Sequence, residues 1–128
     1  MMKQSVTALL LALVLLLGLA ACGQKKLADG TYTIDVTLSG GSGRAQIEAA
    51  SVEIRDGSAA ASITWSSPFF DFMMVDGVRY EPVQQSGNAV FVIPVVLDQE
   101  MAVRANTVAM SQPHLIDYTL YFDSRTMR

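Results

Sequence analysis

The chain has one histidine, His114, and one cysteine, Cys22, and most chemistry open to it passes through one of them. His114 opens the segment HLIDYTLYF, whose alternation puts His114, Ile116, Tyr118, Leu120 and Phe122 on one side of a strand. About 13 Å of extended backbone then separates His114 from Tyr118. Imidazole and phenol are both competent iron ligands. Upstream, Met110-Ser-Gln-Pro-His114, with Met73, Met74 and Met101 elsewhere, offers soft donors of the kind that hold copper(I) outside the cytoplasm. Plainer roles stand beside these. Methionine fills irregular cores. His114, just after Pro113, also fits a strand-entry residue bonded to backbone, and Tyr118, between Ile116 and Leu120, a core residue whose hydroxyl reaches the edge. Catalysis is not expected: there is no Gly-x-Ser-x-Gly, phosphate loop or His-Glu-x-x-His. The acidic residues are scattered singly, and no pair is spaced to act as acid and base.

Residues 1–21 pair a basic start at Lys3 with an unbroken apolar run and small residues before Cys22, the layout of a secretory signal. Leu19-Ala20-Ala21-Cys22 resembles the lipobox of bacterial lipoproteins, in which the cysteine sulfur receives a diacylglyceryl group and the chain is cut just before it. An uncleaved signal anchor is the alternative. As the only cysteine, Cys22 has no partner for an internal disulfide, even in an oxidising compartment. The expectation is a signal over 1–21, a lipidated Cys22 with a polar tether over 22–29, and one domain over 30–124 on the extracytoplasmic face of the membrane. Nine basic residues against twelve acidic, with no basic cluster beyond Lys25-Lys26, argue against nucleic acid as a partner.

Beyond the tether the pattern is that of strands. TYTIDVTL alternates strictly, with Tyr32, Ile34, Val36 and Leu38 on one face. SGGSGR reads as a flexible glycine-rich loop. Asp56-Gly57 splits two alternating runs into a hairpin, with Ala59, Ala61, Ile63 and Trp65 on one face of its second arm. A turn at Asp76-Gly77 sets Val75 opposite Val78, Met73 opposite Tyr80 and Phe72 opposite Glu81. Pro94 marks an edge strand or a bulge. With no helical period after the signal, the pattern predicts an all-β fold, an antiparallel immunoglobulin-like β-sandwich. Ser66-Ser67-Pro68-Phe69 interrupts the aromatic stretch from Trp65 to Tyr80, both of whose faces are apolar, and is where surface function is expected.

The opening DGTY strand, the V-x-I-x-D-G hairpin, the second Asp-Gly turn after an aromatic stretch and the closing Y-x-L-x-F-D strand follow one another in an order that resembles the near-iron-transporter (NEAT) domain. That module is the β-sandwich of Gram-positive haem uptake, and the chain is also similar to small lipoproteins of iron-uptake systems. The resemblance implies a serine-containing lip over one haem face, filled here by Ser66-Ser67-Pro68-Phe69-Phe70 although the family's own lip stands earlier in the chain. It also implies a Tyr-x-x-x-Tyr pair on the last hairpin, here His114 and Tyr118, with His114 as the candidate iron ligand. The expected ligand-binding set is therefore Trp65, Ser66, Ser67, Phe69, Phe70, His114 and Tyr118. The cofactor implied is haem or iron, and the implied partners are ABC-transporter components and, through the lipid on Cys22, the membrane. Two alternatives stand beside this reading: a protein-interaction module associated with a transporter, and a copper(I)-binding lipoprotein.

Radiolabelled palmitate fed to cells making this chain is expected to label the wild type and to leave Cys22→Ala unlabelled; label that survives the substitution would remove the lipid anchor.

Overall fold

A computed structural model describes residues 27–128; the expected signal over 1–21, Cys22 and the first part of the expected tether lie outside the described residues. The alternating runs form nine strands: β1 (Gly30–Thr33), β2 (Asp35–Gly40), β3 (Ile47–Arg55), β4 (Ser58–Trp65), β5 (Phe70–Val75), β6 (Val78–Tyr80), β7 (Val90–Val95), β8 (Glu100–Thr107) and β9 (His114–Asp123). They make two antiparallel sheets, in the orders β1-β3-β4-β7 and β2-β9-β8-β5-β6, which enclose one apolar core without closing into a barrel. The only helical segment described is a 3-10 turn, Ser124–Thr126. Among the described residues no helix is long and apolar enough to cross a membrane.

TYTIDVTL behaves as two strands rather than one. It pairs with β3 up to Thr33, crosses at the buried Ile34, and pairs with β9 from Asp35 onward. One alternating segment thereby stitches the two sheets together. The crossing is clamped by Arg128, whose backbone exchanges hydrogen bonds of 2.9 and 3.1 Å with Thr33, and by Thr126, whose hydroxyl accepts from Asp35 N at 2.8 Å. The folded unit therefore extends past residue 124 to Arg128.

Both Asp-Gly turns form as expected. Asp56 and Gly57 have φ of 51° and 80°, Asp76 and Gly77 of 51° and 76°, the left-handed pair that a two-residue hairpin requires. Val75 faces Val78 and Met73 faces Tyr80. β6 stops at Tyr80, so the expected Phe72–Glu81 pair does not form; the Arg79 guanidinium lies 3.9 Å over the Phe72 ring instead. Pro94 sits on β7, an edge strand, where its missing N–H costs no ladder bond.

A bulge explains the two-faced apolar character of β5. The register with β8 slips between Phe70 and Phe72, leaving Asp71 unpaired, so that Phe70, Met73 and Val75 point inward while Phe72 and Met74 face out. Asn106 on β8, nearly buried, pins the bulge by donating from Nδ2 to Asp71 Oδ1 at 2.7 Å. Without the slip, Phe70 would share a face with Phe72 and Met74 and be drawn out of the core.

The nine described strands and the core cluster lie between Leu27 and Arg128, so a chain begun at residue 23 contains all of them. Within β9 the two faces are expected to respond very differently to truncation. Leu120→Ala, at a fully buried position, should cost about 2–5 kcal/mol in urea unfolding. Leu115→Ala, 46 % exposed on the opposite face, should stay within about 0.5 kcal/mol. Equal losses would mean that this strand is not oriented as described.

Candidate ligand-binding end

The two ends of the sheets differ. At one end the connections are tight: Asp56-Gly57, Asp76-Gly77 and the β7–β8 turn around Asp98, whose φ is 63°. The tether joins here, since Asp29 Oδ1 accepts from Asp56 N at 3.0 Å. At the other end lie the loops β2–β3 (41–46), β4–β5 (66–69), β6–β7 (81–89) and β8–β9 (108–113), three of them longer than any connection at the first end. All of the expected ligand-binding residues belong to this loop end, and the strand registers Ile47↔Trp65, Gly40↔Tyr118 and Phe70↔Thr107↔His114 bring them side by side. His114 is two strands across from Phe70, roughly 10 Å at ordinary sheet spacing.

Within this group the residues divide. Trp65, Phe70 and Tyr118 form a buried aromatic cluster, with ring centroids 4.4 Å apart for Trp65–Phe70, 5.2 Å for Trp65–Tyr118 and 6.4 Å for Phe70–Tyr118. Trp65 is fully buried and Tyr118 is 5 % exposed, so these three rings pack against one another and present almost no surface to a ligand. Burial pushes the Tyr118 phenol above its ordinary pKa, which disfavours the phenolate that would bind iron best.

The two serines serve as ties between loops. Ser66 N donates to Gln46 O at 2.8 Å while Ser66 Oγ accepts from Gln46 N at 2.9 Å, joining the β4–β5 and β2–β3 loops. Ser67 Oγ accepts from Phe69 N at 3.1 Å and Ser67 O from Ala89 N at 3.0 Å, which holds the turn at Pro68 and ties in the β6–β7 loop. Phe69 O accepts from Val108 N at 2.9 Å and so ties in the β8–β9 loop. The other three loops are thus each fixed to the WSSPF segment through backbone groups, a network between distant segments that local sequence does not reveal.

What these loops leave on the surface is Phe69, 51 % exposed, with Val108, Met110 and Val83, each in a different position on the loop end. His114, at the start of β9 opposite Thr107, is also exposed, and its imidazole has no hydrogen-bond partner among the described residues. Among those residues no three His, Cys, Asp or Glu side chains converge to hold a metal ion. A bare divalent ion would therefore meet too few donors here, whereas a group that brings its own equatorial ligands needs only one imidazole.

Sequence reasoning missed the glycine-rich β2–β3 loop. Gly41, at φ 65°, lies so close over Tyr118 that an added Cβ would fall 2.8 Å from Cε1 and 3.1 Å from the hydroxyl. This loop, which contains Ser42, closes over the aromatic cluster from a position ahead of β3. Its signal in the sequence was the SGGSG run itself, since glycine is what lets backbone approach a ring so closely. A separate groove of about 660 Å³ lies on the outer face of the β5–β8–β9 sheet, where Phe72, Met74 and Leu115 alternate with Arg79, Arg104 and Asp117. Its arginines are already paired, Arg79 with Glu81 at 2.6 Å and Arg104 with Asp117 at 2.8 Å.

Comparison with known protein families and with curated proteins finds no match. The close approach over Tyr118 is open to direct measurement. Gly41→Ala should destabilise the domain clearly more than Gly43→Ala, because both positions are left-handed (φ 65° and 81°) but only the first adds a clash. The Gly43 change carries the left-handed penalty alone, about 1–2 kcal/mol. Equal effects in urea unfolding would mean that the loop does not rest on the ring.

Proposed function

We propose that this chain is a lipid-tethered, extracytoplasmic, non-catalytic binding domain of immunoglobulin-like type that holds haem at its loop end, with His114 as the iron ligand. The observation that carries the reading is an exposed imidazole, without a hydrogen-bond partner among the described residues, on the same loop end as exposed Phe69 and Val108, where the β8–β9 loop is tied to Phe69. Haem supplies an iron already bound by four porphyrin nitrogens, so one imidazole suffices to anchor it. Phe69 and Val108 offer apolar area to the ring, and the bonds through Ser66 and Ser67 hold that area in place before the ligand arrives.

The resemblance to NEAT domains supports the same ligand class with a changed donor, histidine at the first position of the tyrosine pair. Tyr118 then acts from beneath, as part of the buried floor. The β9 strand of ten residues sets the loop end about 33 Å from the tether end, so the binding surface faces away from the membrane, where a transporter partner can reach it.

The test is a haemin titration of residues 23–128 followed in the Soret region. A saturable change at micromolar haemin is expected, and His114→Ala should abolish or strongly shift it. Phe69→Ala should weaken binding by up to about tenfold, the loss of roughly half of a phenylalanine's burial, with the circular dichroism unchanged. No saturable change, or a band indifferent to His114→Ala, would end the haem reading and leave the loop end as a protein-interaction surface.

A further inference from the structure

The β8–β9 hairpin carries a second donor beside His114. Of the described methionines, Met73 is fully buried, Met127 packs against the core, Met74 lines the outer groove, and the Met101 thioether accepts a hydrogen bond from Val96 N at 3.3 Å. Met110 alone has neither a packing nor a bonding role, and at 67 % it is the most exposed of the large apolar side chains. It stands in a loop whose base is fixed three times over: by the Thr107↔His114 register pair, by Val108 N on Phe69 O, and by Ala109 N donating to Thr107 Oγ1 at 3.2 Å. Pro113 further restricts the backbone directly before His114. Met110 stands near the tip of this six-residue reversal, four residues ahead of His114, and the three rotatable bonds of methionine give its sulfur reach.

We propose that Met110 Sδ and an imidazole nitrogen of His114 form a two-donor site for a soft monovalent cation of the copper(I) and silver(I) class. A thioether does not compete for hard cations, and a divalent transition ion would seek further nitrogen or carboxylate donors, of which no converging group of three exists among the described residues. A closed-shell soft monovalent ion is satisfied by two. Met110 and His114 lie on one short hairpin loop, which suits a small ion held between the two donors and not a porphyrin flanked on opposite faces. Binding is a plain ligand exchange with no change in oxidation state. The site shares His114 with the proposed haem site, so the two ligands compete, but neither reading requires the other.

The test uses residues 23–128, which lack the Cys22 thiol, titrated with silver(I) and, under anaerobic conditions, with copper(I) delivered from its bicinchoninate complex. Methionine-methyl and histidine-ring NMR signals report the site. One equivalent should bind, moving the Met110 methyl and His114 ring signals together, and Met110→Leu and His114→Gln should each weaken binding at least tenfold, whereas Met74→Leu should not. Binding indifferent to Met110→Leu, or a Met110 methyl that does not move on saturation, would overturn the proposal. Haemin binding to the same wild-type protein is measured in a separate titration, so the absence of either ligand leaves the test of the other intact.

Discussion

The indole of Trp65 joins the two sheets at the end where every candidate functional residue gathers. It lies on β4, yet its ring packs on Phe70 of β5 and Tyr118 of β9, both in the opposite sheet, and its backbone N–H donates to Ala89 O at 2.9 Å. The ring is fully buried and its Nε1 finds no acceptor among the described residues, an imperfection worth roughly 1–3 kcal/mol that the surrounding contacts must outweigh. A chain without disulfides has packing alone to hold its layers, so the close aromatic contacts at this point fix how far apart the loops stand. Gly41 then rests on Tyr118, and Ser66 and Ser67, directly after Trp65, bind two neighbouring loops.

The consequence is a domain with a division of labour between its ends. Two two-residue turns, the four-residue β7–β8 connection and the segment leading into β1 occupy one end, where short connections leave little surface to adapt. Long loops occupy the other, where backbone ties hold exposed Phe69, Val108, Met110 and His114 on a rigid base. Exposed apolar side chains on a fixed frame lose little entropy on binding, which is the physical reason to look for function there. The outer groove along Phe72 and Met74 has apolar surface too, but both of its arginines are already paired with carboxylates, Arg79 with Glu81 and Arg104 with Asp117.

Much of the fold was legible because its signals are local. Asp56-Gly57 and Asp76-Gly77 announce hairpins since few other pairs accept two left-handed residues, and Pro94 announces an edge since it has no N–H to give. What escaped was decided at a distance. Alternation runs unbroken through Ile34, so nothing in TYTIDVTL marks where it changes sheets; the crossing is fixed by partners near residues 50 and 126. The slip at Asp71 depends on Asn106, thirty-five residues away. At the candidate site the sequence does not tell which of the expected residues are buried, because whether Trp65 or Phe69 meets solvent depends on which sheet lies above each. The hydroxyls of Ser66 and Ser67 accept backbone N–H groups of Gln46 and Phe69, ties that local sequence does not reveal.

The most direct measurement of the central claim is amide NMR mapping of residues 23–128 with gallium(III) protoporphyrin, a diamagnetic stand-in for haem. The account requires shifts concentrated at Phe69, Val108 to Leu115 and the β2–β3 loop, with the amides of Phe72, Met74 and Arg79 and the turns at Gly57 and Gly77 unmoved. Shifts centred on the outer groove or on the tether end would contradict it.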